Sequence, residues 1–313
     1  MKIIIYAVVL LLNCAAFGQK KEVSVTIDDL PVAGGNAGDI GYQRAVTSKL
    51  LSVLVRHNVP AIGFVNAKKL YTNDTLDARK TALLEEWLTA GMDLGNHSFS
   101  HKEYNVVSFS EFSADIIQGE PTVRKILAAH GKPLHYFRHP FLHRGDTKAK
   151  AESLQTFLRQ RGYEEAPVTI DNGDWIFAAA YSTAFAAHDS LQMTTIGTSY
   201  IGYMEKKLRY FEIQSVAVCG HAIKQILLIH ASRLNADYFD ALASMYEKNG
   251  YSFVPLARAL TDSAYRLPDT FYRKGGISWI DRWALTQGKT GSFFRDEPQV
   301  PESIMKLAHV DSE

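Results

Sequence analysis

Short runs rich in β-branched and apolar residues alternate along this chain with segments of helical periodicity, and that order constrains the fold more than any other feature. Residues 23–27, 61–65, 92–94, 134–137, 166–170, 225–229 and 252–254 read as strands. Between them, residues 42–57, 81–90, 109–130, 148–161 and 236–248 read as helices, several of them closed by a glycine such as Gly91, Gly162 or Gly250. Strand and helix in strict alternation give a mainly parallel sheet covered by helices, an α/β fold. About seven such alternations suggest a barrel. At 313 residues the chain suits one principal domain with an appendage.

Composition removes several classes. Lys and Arg number 34 against 33 Asp and Glu, a formal charge of +1, so there is no electrostatic footprint for nucleic acid or an anionic membrane surface. With 46% hydrophobic residues the chain can bury a full core. Two cysteines cannot make a disulfide framework or a cysteine zinc site, and Cys219 reads as a small apolar core residue. At the start, Met1-Lys2 precede the apolar run 3–12, then Cys14-Ala15-Ala16-Phe17-Gly18 and a polar stretch. The run is too short to span a bilayer, and Ala16 and Gly18 stand where signal peptidase takes small side chains, so residues 1–18 are expected to be a cleaved export signal. Acylation at Cys14 as a lipoprotein is the rival, disfavoured by Asn13 at a position that usually holds Gly, Ala or Ser. Removing this segment leaves a formally neutral chain with Cys219 alone.

In parallel α/β sheets the chemistry lies beyond the carboxyl ends of the strands. Here those positions carry Asp28-Asp29, His97-Ser98-Phe99-Ser100-His101, Arg138-His139-Pro140-Phe141, Asp171-Asn172-Gly173-Asp174-Trp175, and His230. Two adjacent carboxylates at a strand end call for a cation or several donors, because like charges a few ångströms apart resist joint ionisation. An Asp after a strand is also a common helix N-cap. A His-x-x-x-His pair with an Asp suits zinc or a similar divalent ion with open positions, although surface histidines fall at that spacing by chance.

Taken together these segments resemble, in order, the five motifs of the polysaccharide deacetylases, the NodB-homology group of carbohydrate esterase family 4. Thr26-Ile27-Asp28-Asp29, His97 to His101, Arg138-His139-Pro140-Phe141, Asp171 to Trp175, and Ile226-Leu227-Leu228-Ile229-His230 carry the likeness. It implies a distorted (β/α) barrel of about seven strands with a C-terminal extension: barrel over residues 19–262, extension over 263–313. It further implies a divalent metal, zinc before cobalt or nickel, on Asp29, His97 and His101. Asp28 would be the base that activates the metal-bound water, with Arg138 fixing it. His230 would be the acid, held by Asp174. The Phe141 backbone N–H would bind the oxyanion and Trp175 would wall the groove. The implied reaction is hydrolytic removal of acetyl from an N-acetylated amino-sugar glycan, chitin-oligosaccharide or peptidoglycan-like, outside the cytoplasm. O-deacetylation of xylan or a related polysaccharide and an inactive glycan-binding barrel are the alternatives.

The pattern departs from the family at Leu30-Pro31, where glycine usually follows the aspartates. Residues 176–224 are expected as two helices packed on the barrel, with a wall of the substrate groove as the other reading. Trp279 and Trp283 are expected to pack the extension onto the barrel, and the end of the chain, after Pro298 and Pro301, to be loosely held. His139 and His143 are expected to be loop residues without a chemical role.

Overall fold

The structure, a computed structural model, describes residues 21–312; the expected export signal, with Cys14, lies outside them. In chain order the elements are β1 (Lys21–Leu30), α1 (Ile40–Arg56), β2 (Ile62–Val65), β3 (Tyr71–Thr72), β4 (Thr75–Leu76), α2 (Ala78–Thr89), β5 (Asp93–Asn96), α3 (Phe109–Ala129), β6 (Tyr136–Phe137), α4 (Lys148–Gln160), β7 (Glu164–Glu165), α5 (Asp174–Ala186), α6 (Ser190–Cys219), β8 (Gln225–His230), α7 (Arg233–Lys248), β9 (Tyr251–Phe253), α8 (Leu256–Ala259), α9 (Trp279–Thr286) and α10 (Glu302–Ala308). β3 and β4 form a small antiparallel hairpin.

The main sheet runs β7-β6-β5-β2-β1-β8, with β9 beside the first residues of β1, and every pairing is parallel. This is a curled half-barrel, the distorted (β/α) barrel expected from the alternation. β1 lies inside the sheet, and its residues from Val23 to Asp28 are buried, which is why it reads as a β-branched run. α1 lays Val46, Leu50, Val53 and Leu54 on one face, the spacing of a helix packed on a sheet. Its first turn is capped by Asp39, whose side chain accepts from the N–H groups of Gly41 and Tyr42.

One expected strand is corrected. Residues 166–170 make no named strand; β7 stops at Glu165, and this stretch meets β8 through a bridge between Ile170 and Leu227 and through the Thr169 and Ile170 N–H groups, which donate to Ile226 O (2.9 and 3.0 Å). Pro167 has no N–H to give. The free edge is taken by the C-terminal extension instead: Trp279 N–H donates to Val168 O (2.7 Å) and Ser278 Oγ to Thr169 O (2.9 Å).

The extension therefore closes the gap between β7 and β8. Trp279 and Trp283 are buried, as expected. Arg144 ties Glu165 (2.9 Å) to Asp269 (2.7 Å), and Arg282 reaches Asp269 from α9 (2.8 Å). The loose terminus is overturned: α10 packs on α5, with Val300 and Ile304 buried. The apolar spacing of so short a helix carries little signal against two prolines. Trp283→Ala should cost about 3–5 kcal/mol, read as a lowered urea midpoint; a loss under about 1 kcal/mol would mean the extension is not part of the cooperative fold.

Candidate active site

The parallel register between β1 and β8 sets Asp28 opposite His230. On the other side, the pairing of β1 with β2 slips between Ile27 and Leu30, and Asp29 takes φ 71°. A left-handed residue after an extended one swings the second carboxylate away from the first. Asp28 Oδ2 comes to 4.0 Å from Arg138 Nη1 and 3.8 Å from His97 Nε2, while Asp29 Oδ1 lies 3.8 Å from His97 Nε2 and 3.7 Å from His101 Nε2, which Asp29 alone of the two reaches. Leu30, the departure from the family pattern, fills the core against Gly63, where an added Cβ would lie 2.2 Å from Leu30 Cδ1. The left-handed turn falls on Asp29, so no glycine is needed after it.

His97 follows β5, and its Nδ1 lies 2.9 Å from Arg138 O. A carbonyl only accepts, so Nδ1 carries the hydrogen and Nε2 is left with a lone pair toward Asp29. The turn to His101 is braced by Ser98, whose Oγ accepts from the His101 N–H (3.0 Å), and by Asp115, which accepts from Ser100 N–H (3.0 Å). Ser98 (φ 62°), His101 (φ 57°), Phe141 (φ 56°) and Leu142 (φ 55°) join Asp29 among the non-glycine residues with left-handed backbone. Five of the ten such residues among those described cluster here, and conformations this costly persist where the surroundings hold them for a purpose.

The electrostatics fit a cation. Burial pushes both His97 and His101 down to about 4, so both imidazoles are neutral at pH 7. Burial acts to raise the Asp29 carboxyl, but Lys69 at 3.0 Å and the two imidazoles hold it well below the usual carboxylate range. The ligand atoms of Asp29, His97 and His101 lie within 4.8 Å of one another, and Asp29 Oδ1 is buried without a hydrogen-bond partner. An orphaned carboxylate oxygen facing the Nε2 atoms of two neutral imidazoles is a donor set that suits a divalent metal. Lys69 was not legible beforehand; it follows β2 and nothing in its sequence context marks it.

Across the site, His230 Nδ1 lies 2.7 Å from Asp174 Oδ1, while Asp174 Oδ2 accepts from the His230 backbone N–H and from Asn235 Nδ2, both at 2.8 Å. Asp174 is wholly buried. Burial acts to lower the imidazole of His230, and Asp174 more than offsets it, holding the group up at about 9. A reaction that needs His230 protonated therefore persists below about pH 9 and fades as pH rises through it. Without the carboxylate, burial wins. Asp174→Asn should move the alkaline limb of the pH–rate profile down by about 1–3 pH units. An unmoved limb would detach that limb from His230.

Asp28, Asp29, His97, His101 and His230 line one cavity of about 840 Å³. Phe141 and Trp175 are exposed on its wall, and the Phe141 ring sits 4.5 Å from that of His101. α5 lines the cavity as well as packing on the barrel, so both readings of residues 176–224 hold in part. His139 and His143 also line it, from the loop between β6 and α4. His139 is buried and bonded through Nε2 to Glu165 (2.7 Å).

Residues 17–157 match the family model for polysaccharide deacetylase. The chain resembles the polysaccharide deacetylases over that span. The matched span holds Asp28, Asp29, His97, His101 and Arg138 and stops before Asp174 and His230. Among the proteins similar to this chain is an uncharacterised 30.6 kDa protein of Geobacillus stearothermophilus, 22% identical over 250 residues, which cover 80% of this chain and 74% of that one. The solved polysaccharide deacetylase Bc1974 of Bacillus cereus shares the fold at TM-score 0.50 and 18% identity, over 75% of this chain and 91% of that one. BA3943 of Bacillus anthracis, a CE4 family pseudoenzyme, matches at TM-score 0.47 and 17% identity, over 77% of this chain and 66% of that one.

Proposed function

We propose that this protein hydrolyses the acetamide of an N-acetylated amino-sugar glycan, chitin-oligosaccharide or peptidoglycan-like, with a divalent metal on Asp29, His97 and His101. The observation that carries the reading is the pairing of the Asp29–His97–His101 cluster with the His230–Asp174 pair across one cavity. When bound, zinc, or cobalt or nickel in its place, supplies Lewis acidity toward a carbonyl and toward water.

The chain's own residues do the rest. Asp28 takes a proton from the water that attacks the acetyl carbon, and Arg138, itself buried and bonded to Thr26 Oγ1 (2.7 Å), keeps a positive charge beside it. Burial raises the Asp28 carboxyl against the pull of Arg138, which is the direction a base working near neutrality requires. The backbone N–H of Phe141 is assigned to the developing oxyanion; one such donor is worth about 3–4 kcal/mol. His230 gives its proton to the amine nitrogen as the C–N bond breaks, leaving acetate and a free amino sugar. Trp175 offers an apolar face to a sugar ring. The strong hold on a protonated His230 favours an amide over an ester substrate, because an amine leaves poorly without a proton.

The apolar run 3–12 supports a place outside the cytoplasm for this reaction. No helix among the described residues is long and apolar enough to cross a membrane. Metal-loaded protein should release acetate from N-acetylated chitooligosaccharides or peptidoglycan, lose that activity to a chelator and regain it with zinc, cobalt or nickel. Turnover that survives full metal removal would overturn the mechanism.

A further inference from the structure

The cavity is walled on one side by segments that the family match does not reach. Gly276 lies so close to the Phe141 carbonyl that an added Cβ would stand 1.8 Å from its oxygen, so the extension is in backbone contact with the loop carrying the candidate oxyanion donor. From there Ser278 and Trp279 anchor on Thr169 and Val168, and the chain returns through Glu297 and Gln299. Glu297 meets Lys207 of α6 at 2.7 Å, and Lys207 is buried while lining the same cavity. Loop, extension and α6 thus make a continuous wall around to Trp175 on α5.

This wall is fixed. Its anchors are backbone hydrogen bonds, the buried Arg144–Asp269–Arg282 bridges and the packed Trp279 and Trp283, none of which can open without exposing core. An ion pair between a buried lysine and a half-buried glutamate gives little net stability, and an apolar pair would pack as well. What it does provide at a cavity wall is directional donors and acceptors. Gln299, exposed, adds an amide whose Nε2 donates to Glu297 O (3.1 Å). A cavity of about 840 Å³ falls within the size range of small-ligand pockets, whereas a polymer threading past the site needs a groove open at both ends.

We propose that the C-terminal extension makes the substrate site blind on the α6 side, so that the protein acts on a chain end or a short saccharide. The hydroxyl groups of the terminal sugar meet Lys207, Glu297 and Gln299. The inference rests on the deacetylase reading for its substrate class, but the shape of the site can be tested apart from it.

The test measures binding of N-acetylated chitotetraose to the metal-loaded Asp28→Asn protein, with the tetrasaccharide unlabelled or carrying a bulky label on its reducing end, its non-reducing end or both. A label on one end should be tolerated and a label on the other should raise Kd at least about tenfold, as should the double label. Gln299→Ala, a surface change that leaves the fold alone, should weaken the unlabelled saccharide about threefold. All labelled forms binding within about twofold of the unlabelled one would overturn the blind wall. End-selective binding without acetate release by the unsubstituted protein would sink the deacetylase reading and keep the wall. Acetate release with both labels tolerated would do the reverse, and failure to bind any of the saccharides would overturn both.

Discussion

Asp28→Asn should lower kcat by about 10²–10⁴-fold while bound metal stays unchanged. The two halves of this expectation come from the divergence of the aspartates. Asp29 points at His97 and His101, and Asp28 stands 4.0 Å from Arg138 with its Oδ1 buried and without a partner. Asparagine preserves the shape and the burial but cannot accept and hold a proton, so the attacking water keeps its own. The Asp29–His97–His101 cluster is untouched, and metal measured by mass spectrometry of the desalted protein should match the unsubstituted chain. A variant that kept more than about a tenth of the rate would remove Asp28 from the role of base, since even modest general-base catalysis exceeds that.

His97→Ala should abolish metal retention and activity together. His97 is buried, and its tautomer is set by the Arg138 carbonyl, so its contribution to a metal is pre-organised rather than recruited. Losing a ligand should cost more than the roughly 10–100-fold in affinity that follows loss of a group behind a ligand. Stability gives a second readout independent of turnover. Metal at a hundred times its Kd should stabilise the unsubstituted protein by about 2.7 kcal/mol and leave His97→Ala unmoved. Equal metal-dependent stabilisation of both would place the ion elsewhere. The paired outcome also separates the two histidine roles: His97→Ala removes metal, whereas a change at His230 or Asp174 alters the alkaline limb with metal retained.

Much of the candidate site could be read from the chain because of how parallel sheets work. Strands that alternate with helices all point the same way, so their carboxyl ends meet at one edge however far apart they lie in sequence. Asp28, His97, Arg138, Asp174 and His230 are spread over two hundred residues of chain, and each stands at or just beyond a strand or at the start of a helix on that edge. Residues 166–170 show where local pattern failed. They have strand composition, yet Pro167 and the arriving extension turn them into an edge that bonds to Ser278 and Trp279. Lys69 on Asp29 and Asn235 on Asp174 escaped notice for a related reason: each reaches the site through space from a position with no motif of its own.

The amino-acid sequence by itself determined the alternating elements, the parallel sheet and the set of polar groups at its edge, because periodicity and strand-end position are local properties. Tertiary structure alone decided the left-handed backbone at Asp29, the seating of Ser278 and Trp279 on Thr169 and Val168, the packing of the chain end after Pro301 on α5, and the burial of Lys207 against Glu297 at the cavity wall. These depend on which distant surfaces meet, and on the cost of leaving a carboxylate, a carbonyl or an indole unpartnered where they do.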